Sequence, residues 1–185
     1  MDNTKKYIIL CYSKTGNSRF IAEKLSKELS CGLEVIHPIL NYTGLLFLIS
    51  LLKISIPTNI SKEKIKEYDE VIIIGPIWGG LLISPLRTIL KKCIALSKPI
   101  HFAVTCESSE AQKDDKYGYN QVLKFAIQLG GQLVFSTAAF STSLIKGYDG
   151  KITTDITAKA KITEENFSDE LRGRLDDFKN RILVE

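Results

Sequence analysis

The sequence predicts an α/β fold in which a parallel β-sheet lies between two layers of helices. Apolar runs with the length of strands alternate along the chain with segments of helical periodicity, the pattern of parallel strands joined by crossover helices. The strand-like runs are continuously apolar, as expected for strands covered on both faces. With 185 residues and no repeat, low-complexity tract or linker, the chain is predicted to form one domain over residues 1–185.

The chain begins with a strand, predicted over residues 6–12 (KYIILCY). A helix follows, for which the Cys-Gly pair at 31–32 offers a C-terminal stop. Its apolar residues share one face, which comprises Ile21, Ala22, Leu25 and Leu29. A second strand is predicted over residues 33–38, where Pro38 ends it.

The middle of the chain contains the least regular segment, residues 39–60, which is predicted to be partly helical. A short polar helix or turn over residues 61–68 precedes a strand over residues 70–76. The next helix is predicted to start with Ser84 as its N-cap and Pro85 at its first helical position. Its core face recurs at helical spacing and comprises Leu86, Ile89, Leu90, Cys93 and Ile94.

The second half repeats the alternation, with strands predicted over residues 98–106 and 132–140. Between them lie a long polar loop (residues 107–120) and a helix that stops at the glycine pair 130–131. A last helix is predicted from residue 163 onwards. The inward positions are Val122, Phe125, Ala126 and Leu129 in the first of these helices and Phe167, Leu171, Leu175, Phe178 and Ile182 in the last.

Residues 144–156 (LIKGYDGKITTDI) place an Asp-Gly pair between β-rich flanks. Such a pair is typical of a tight turn between two strands. The segment is therefore predicted to form a hairpin or to split the fifth strand.

The charge pattern argues against a nucleic-acid partner. The chain has 25 Lys and Arg against 21 Asp and Glu, and the resulting net charge of +4 is dispersed rather than concentrated in a stripe. The N-terminus enters a strand almost at once, which leaves no room for a signal peptide and favours the cytoplasm.

The four cysteines (Cys11, Cys31, Cys93 and Cys106) form no C-x-x-C pair, and no paired histidines have metal-ligand spacing. Neither a zinc site nor a redox dithiol is therefore predicted. Free buried thiols in a reducing compartment are the simpler interpretation.

Residues 44–56 (GLLFLISLLKISI) are the most apolar stretch of the chain. The stretch is shorter than the ~20 apolar residues of a membrane-spanning helix, and Lys53 interrupts it. We expect a buried or capping helix here. The alternative is a segment that contacts a membrane surface or a quinone weakly.

Residues 13–18 (SKTGNS), which we call the anion loop, leave the first strand and open the first helix. Ligands of open α/β sheets bind beyond the carboxyl ends of the strands, and helix N-termini offer unpaired N–H groups to anions. Three hydroxyls, one amide side chain and one glycine in six residues suit a phosphate. The loop lacks the glycines of a Walker A or dinucleotide-binding motif.

A phosphatase is the main rival, because a phosphatase loop of the form C-x5-R also starts from a cysteine at the end of the first strand. Counted from Cys11, the arginine would stand at position 17, where the chain has Asn17, and Arg19 comes two residues late. Without a guanidinium the thiolate is not activated, so Cys11 is interpreted as a buried strand residue. Hydrolysis of p-nitrophenyl phosphate that is lost in Cys11→Ser would support the rival.

The stretch ILCYSKTGNSRFIAEKL (9–25) resembles the opening of flavodoxin-family proteins, whose FMN phosphate loop reads Ser/Thr-x-Thr-Gly-x-Ser/Thr. Residues 68–90 (YDEVIIIGPIWGGLLISPLRTIL) are similar to the exit of the third strand in that family, where an aromatic ring stacks on the flavin. The only tryptophan, Trp78, stands at that position, and Tyr117 or Tyr119 could supply a second ring.

The resemblance implies a flavodoxin-like three-layer α/β/α sandwich with a five-stranded parallel sheet in the order 2-1-3-4-5, and FMN as cofactor. It implies an electron carrier between redox protein partners; a flavin-dependent oxidoreductase acting on a quinone or porphyrinogen-like acceptor is the alternative. Because typical flavodoxins are strongly acidic, a net charge of +4 predicts a less negative flavin potential and a different partner surface. The implied cofactor-binding residues are Ser13, Lys14, Thr15, Gly16, Asn17, Ser18, Pro76, Ile77, Trp78, Gly79, Thr105, Cys106, Glu107 and Tyr117.

Overall fold

The computed structural model of the protein describes residues 5–150 and 160–184, and it is built around a six-stranded sheet. Five strands are parallel in the order β2-β1-β3-β5-β6, and β4 pairs antiparallel with the end of β3. With β4 set aside, this is the predicted order 2-1-3-4-5, which is confirmed. The strands are β1 (Tyr7–Cys11), β2 (Gly32–Val35), β3 (Glu70–Trp78), β4 (Leu81–Leu82), β5 (Ile100–Cys106) and β6 (Val134–Ser141).

Helices cover both faces of the sheet. They are α1 (Asn17–Leu29), α2 (Thr43–Leu51), α3 (Lys62–Lys66), α4 (Ser84–Ala95), α5 (Tyr119–Gly130) and α6 (Asp169–Val184). The buried residues of α1 and α6 share one apolar cluster, and those of α4 and α5 share the other. The three-layer arrangement is therefore confirmed.

The central strand β3 shows why the predicted strands are apolar throughout. Val71 and Ile73 belong to the cluster beneath α4 and α5, whereas Ile72 and Ile74 belong to the cluster beneath α1 and α6. All four side chains are fully buried. Successive residues of a strand point to opposite faces, so a strand between two helical layers needs apolar residues at every position.

Three predicted helix boundaries are wrong, at the end of α1 and at the starts of α4 and α6. Helix α1 ends at Leu29 with Ser30 as its C-cap (φ 50°), and Gly32 is the first residue of β2 rather than the helix stop. Ser84 is already helical, and Ile83 is the N-cap of α4. The Ser84 hydroxyl is used elsewhere, because it donates to the carbonyl of Ile54 at 2.8 Å.

The C-terminal helix α6 starts later than predicted. Its first residue is Asp169, and the Ser168 hydroxyl accepts a hydrogen bond from the Leu171 N–H at 3.1 Å, as an N-cap does. Phe167 is buried as expected but precedes the helix. The hairpin or split strand predicted over residues 144–156 lies partly outside the described residues, and residues 144–150 contain no strand.

Within residues 5–150 and 160–184, none of the helices combines the length and the apolar character that crossing a membrane requires.

Candidate functional site

A cleft of about 690 Å³ opens where β1, β3 and β5 end at their carboxyl termini. Its volume falls within the usual range of small-molecule and cofactor sites. Eleven of the fourteen predicted site residues line it; their contact with a cofactor stays a prediction. The eleven are Lys14, Thr15, Asn17, Pro76, Ile77, Trp78, Gly79, Thr105, Cys106, Glu107 and Tyr117.

The anion loop closes around a left-handed glycine. Gly16 has φ 100° and serves as the N-cap of α1, where it has no side chain to cap the first-turn amides. The Ser13 hydroxyl accepts a hydrogen bond from the Gly16 N–H at 3.1 Å, which holds the loop in a tight turn. The helix start therefore leaves backbone N–H groups at the wall of the cleft, where an anion is favoured.

Two side chains of the anion loop bind the protein itself. The Ser18 hydroxyl lies 2.6 Å from the Thr105 hydroxyl, and both residues are buried. The Asn17 amide donates to the Ala160 carbonyl at 3.0 Å and accepts from the Ile162 N–H at 2.9 Å. Nothing in the sequence pattern indicated that Asn17 would bond to residues 160 and 162, which precede α6. The side chains of Ser18 and Asn17 therefore fix the loop between β5 and the C-terminal part.

Lys14 and Tyr12 attach the same end of the cleft to the segment before α2. The Lys14 ammonium donates to the Asn41 carbonyl at 3.1 Å, and the Tyr12 hydroxyl donates to the Asn41 side-chain oxygen at 3.0 Å. Burial raises the pKa of Tyr12 to about 12, so this phenol stays protonated and keeps donating. Asn41 thus joins two residues that follow β1.

Trp78 forms the other end of the cleft, which we call the ring end. Its ring meets the ring of Tyr12 edge to face, with centroids 6.2 Å apart. It is followed by Gly79 (φ 55°) and Gly80 (φ 72°), which form a two-residue turn between β3 and β4. Positive φ at both central residues is the geometry that suits a tight hairpin. The turn therefore holds Trp78 at the edge of the sheet.

Gly80 also lets a distant loop reach the ring end. A Cβ atom on Gly80 would lie 2.7 Å from the Lys116 carbonyl oxygen and 2.8 Å from the Tyr117 Cα. Both distances are shorter than side chains tolerate, so only glycine fits without movement. This contact places Tyr117 in the cleft opposite the turn.

The loop that carries Tyr117 is tied down through Glu110. The Glu110 carboxylate accepts from the Tyr119 hydroxyl and from the Arg174 guanidinium, each at 2.5 Å. The hydrogen bond from Tyr119, together with Arg174, lowers the pKa of Glu110. Of the two tyrosines considered for a second ring, Tyr119 is buried and lies outside the cleft lining, whereas Tyr117 lines it and is 60% exposed.

No protein-family model and no curated protein sequence matches this chain. Solved structures do match. A Lactobacillus acidophilus flavoprotein in complex with FMN aligns with a TM-score of 0.58 at 19% identity, covering 74% of this chain and 93% of its own. A candidate flavoprotein of Bacteroides eggerthii aligns with a TM-score of 0.59 at 20% identity (95% and 98% covered), and a Streptococcus pneumoniae flavodoxin with 0.51 at 12% (96% and 98% covered). The chain has the flavodoxin fold.

The thiols of this flavodoxin-fold chain do not form a nucleophilic site. Cys11 is buried and does not line the cleft, and burial raises the pKa of its thiol to about 12. Arg19 points away into an ion pair with Glu23, Nε to Oε1 2.7 Å. Cys106 lines the cleft, but burial raises its pKa to about 12 as well. Both thiols therefore stay protonated at neutral pH, which argues against the phosphatase rival.

Helix α2 supplies a wall of the cleft that sequence reasoning missed. The helix expected within residues 44–56 is present as α2, but it is not a buried one, because within α2 only Leu46 and Ser50 are buried. A helix that is apolar on every side gives no periodic signal for its inner face. The lining residues missed from the sequence are Thr43, Gly44, Phe47, Ser108, Gln112, Asp115 and Gly118.

Proposed function

We propose that the chain binds FMN in this cleft and transfers electrons between redox partners. The observation that carries the proposal is that one cleft combines the anion loop with the ring end. A helix N-terminus closed by Gly16 suits a phosphate, and the partly buried Trp78 suits a planar ring. The FMN complex of the Lactobacillus acidophilus flavoprotein, which has the same fold, supports the choice of cofactor.

The residues have distinct roles in this proposal. Backbone N–H groups of the anion loop would hold the phosphate, and Trp78 and Tyr117 would flank the ring. Bound FMN supplies one- and two-electron transfer, while the protein controls its potential and its access to water. Glu107 and Asp115 add carboxylates to the cleft wall and Lys14 adds an ammonium. The potential is proposed to be less negative than in acidic flavodoxins because of the net charge of +4.

The test is a titration of FMN into the purified protein, followed by tryptophan emission. Trp78 is the only tryptophan, so strong quenching reports a ring close to it. Riboflavin, which lacks the phosphate, is the matched ligand. We expect FMN to bind more tightly than riboflavin. In Gly16→Val, which disturbs the left-handed turn of the anion loop, the ratio of the two affinities should become smaller. A colourless protein whose emission is unchanged by FMN would overturn the proposal.

A second candidate is a flavin-dependent oxidoreductase that acts on a quinone or porphyrinogen-like substrate. It is favoured by the apolar wall of the cleft, where Phe47 of α2 lies in the same lining as Trp78 and Ile77. Turnover separates the two candidates. Consumption of NAD(P)H or quinone by the protein alone supports the enzyme, whereas activity that requires an added reductase supports the carrier.

The proposed setting is the cytoplasm, with the chain acting as a single domain over residues 1–185. The partners are redox proteins or a small-molecule electron acceptor, without nucleic acid. The dispersed charge and the four free cysteines support this setting.

A further inference from the structure

A concentration of exposed apolar residues lies beside the cleft, on and around α2. Of the fourteen large hydrophobic residues exposed in residues 5–150 and 160–184, nine fall between positions 39 and 54, with exposures from 40% at Leu45 to 80% at Tyr42. Such a concentration marks an interaction site more often than chance exposure does. We call it the α2 surface; it comprises Ile39, Leu40, Tyr42, Leu45, Phe47, Leu48, Leu51, Leu52 and Ile54.

The α2 surface is anchored from its inner side. Leu46 is fully buried, and the Ser50 hydroxyl donates to the Leu46 carbonyl at 2.6 Å and accepts from the Ser84 N–H at 2.8 Å. After α2, the N–H and carbonyl of Ile56 both bond to the Thr88 hydroxyl. These contacts fix the helix on the protein with its outer residues turned to solvent.

The polarity of the α2 surface fits lipid better than protein. Between positions 44 and 52 the only polar side chain is that of Ser50, which is buried and already hydrogen-bonded. Protein interfaces carry roughly one hydrogen bond per 100–200 Å², and the side chains of this stretch cannot supply them. Outward leucine and phenylalanine side chains suit the acyl boundary of a bilayer, and an exposed tyrosine suits the level of the headgroups.

The segment that carries the α2 surface contains no acidic residue, and the carboxylates of the cleft lining, Glu107 and Asp115, belong to the loop after β5. No Asp or Glu occurs between Glu34 and Glu63, while Lys53 stands two residues after the end of α2. Lys14 reaches the edge of the same region through its bond to the Asn41 carbonyl. An anionic bilayer surface attracts such lysines and repels carboxylates, so the absence of acidic residues is complementary to anionic headgroups.

We propose that the α2 surface docks on a membrane that contains anionic lipids, with α2 lying in the headgroup region. Phe47 belongs both to this surface and to the wall of the cleft. Docking therefore holds the mouth of the cleft next to the lipid. The proposal does not depend on which cofactor the cleft holds.

The test is co-sedimentation of the full chain with vesicles. Vesicles of phosphatidylcholine with phosphatidylglycerol should bring down the protein, and vesicles of phosphatidylcholine alone should bring down less. Binding to the anionic vesicles should weaken as salt is added, because salt screens the contribution of the lysines. Lys53→Asn, which suits the positive φ at this position, should lower the preference for phosphatidylglycerol.

The decisive variant is Leu48→Glu with Leu52→Glu, which changes two exposed residues outside the cleft lining. We expect its vesicle affinity to fall by about tenfold or more. Ile127→Glu with Leu183→Glu makes the same chemical change at exposed residues of α5 and α6 and should bind like the wild type. FMN titration and circular dichroism on both double variants separate a docking defect from a folding or cofactor defect.

The proposal would be overturned if the two double variants bound anionic vesicles equally. It would also be overturned if the wild type did not bind these vesicles. If the wild type did not bind vesicles but formed a dimer on gel filtration, and Leu48→Glu with Leu52→Glu converted that dimer to a monomer, the α2 surface would be assigned to a second copy of the chain.

Discussion

At the anion loop, the turn is closed by a hydrogen bond between residues close together in the chain, Ser13 and Gly16, although Asn17 and Ser18 also bond to distant residues. At the ring end, the cleft is held by close approach of backbone segments that are far apart, such as Gly80 and residues 116–117. The anion loop is therefore recognisable from one short stretch of sequence. The ring end forms only when the loop after β5 packs against Gly80, so it cannot be recognised from one stretch of sequence.

The difference predicts two kinds of sensitivity to mutation. Changes at Ser13 or Gly16, which form the turn of the anion loop, remove one short-range hydrogen bond or strain one residue, and their cost is local. Changes at the ring end force packed backbone apart, and protein interiors do not absorb added volume easily. Each experiment below tests one side of this comparison against a matched control.

The largest effect is expected for Gly80→Ala. The new methyl group would meet the Lys116 carbonyl and the Tyr117 Cα at under 3 Å. Gly79→Ala is the control, since it shares a positive φ but meets only the Phe47 ring at 3.6 Å. We expect Gly80→Ala to lower the free energy of unfolding by about 1–3 kcal/mol more than Gly79→Ala, measured by denaturant titration. Equal losses would show that the turn alone, and not the approach of the loop, matters.

Gly16→Ala should have the next largest effect. No atom of residues 5–150 and 160–184 outside the immediate chain neighbours lies within 4 Å of the added carbon, so the cost comes from holding alanine at φ 100°. We expect a loss of about 1–2 kcal/mol in the free energy of unfolding. Gly173→Ala in α6 also adds a methyl group in open space and should cost nothing, because alanine favours the helix. A Gly16→Ala protein as stable as Gly173→Ala would contradict the strained geometry of the anion loop.

Ser13→Ala tests the hydrogen bond that closes the anion loop. Ser61 accepts from the Lys64 N–H at 3.1 Å, the same distance and spacing as Ser13 with Gly16, but away from the cleft. Both alanine variants should lose about 0.5–1.5 kcal/mol of stability. Only Ser13→Ala should also weaken FMN binding in the emission titration. Weaker binding in Ser61→Ala would show that the measurement reports stability rather than the loop.

Glu110→Gln should have the smallest effect, below about 1 kcal/mol, because the carboxylate is partly exposed. The pKa of Glu110 is lowered from 4.5 in the folded protein, so its contribution to stability is present above that value. The contribution is lost as the pH falls through the folded pKa. Denaturant titrations at a series of pH values below about pH 7 should show that the wild type is more stable than Glu110→Gln at the higher values, and that this difference shrinks below pH 4.5 and disappears as the pH falls through the folded pKa.

The control for Glu110→Gln is Glu170→Gln, which removes another carboxylate from Arg174 but leaves the bond to Tyr119. It should change FMN affinity less than Glu110→Gln does, since Glu110 holds the loop that carries Tyr117. An equal change in the two variants would place the effect in Arg174 rather than in the loop.

Much of the fold follows from local pattern. The sequence predicted the continuously apolar strands, the inner faces of α4 and α5 and the order of elements. These features could be predicted because residues buried against a neighbouring layer are apolar and recur with the period of the strand or helix. Helix ends were predicted less well. Ser30 ends α1 with a left-handed backbone (φ 50°), and Ser168 caps α6 through its hydroxyl. Serine also occurs in many other settings, so its position alone does not identify a helix boundary.

The residue pattern was sufficient to predict the alternation of strands and helices along the chain, the turn of the anion loop and the position of Trp78 at the end of β3. The order of the strands within the sheet was predicted from the resemblance to the flavodoxin family. The tertiary structure alone decided that Asn17 bonds to residues 160 and 162, that residues 116–117 reach Gly80, and that α2 turns its apolar residues outward. The physical reason is the range of the contacts. Strand and helix patterns record which face a residue buries, whereas a contact between distant segments has no periodicity, and a uniformly apolar helix has no inner face until its neighbours are placed.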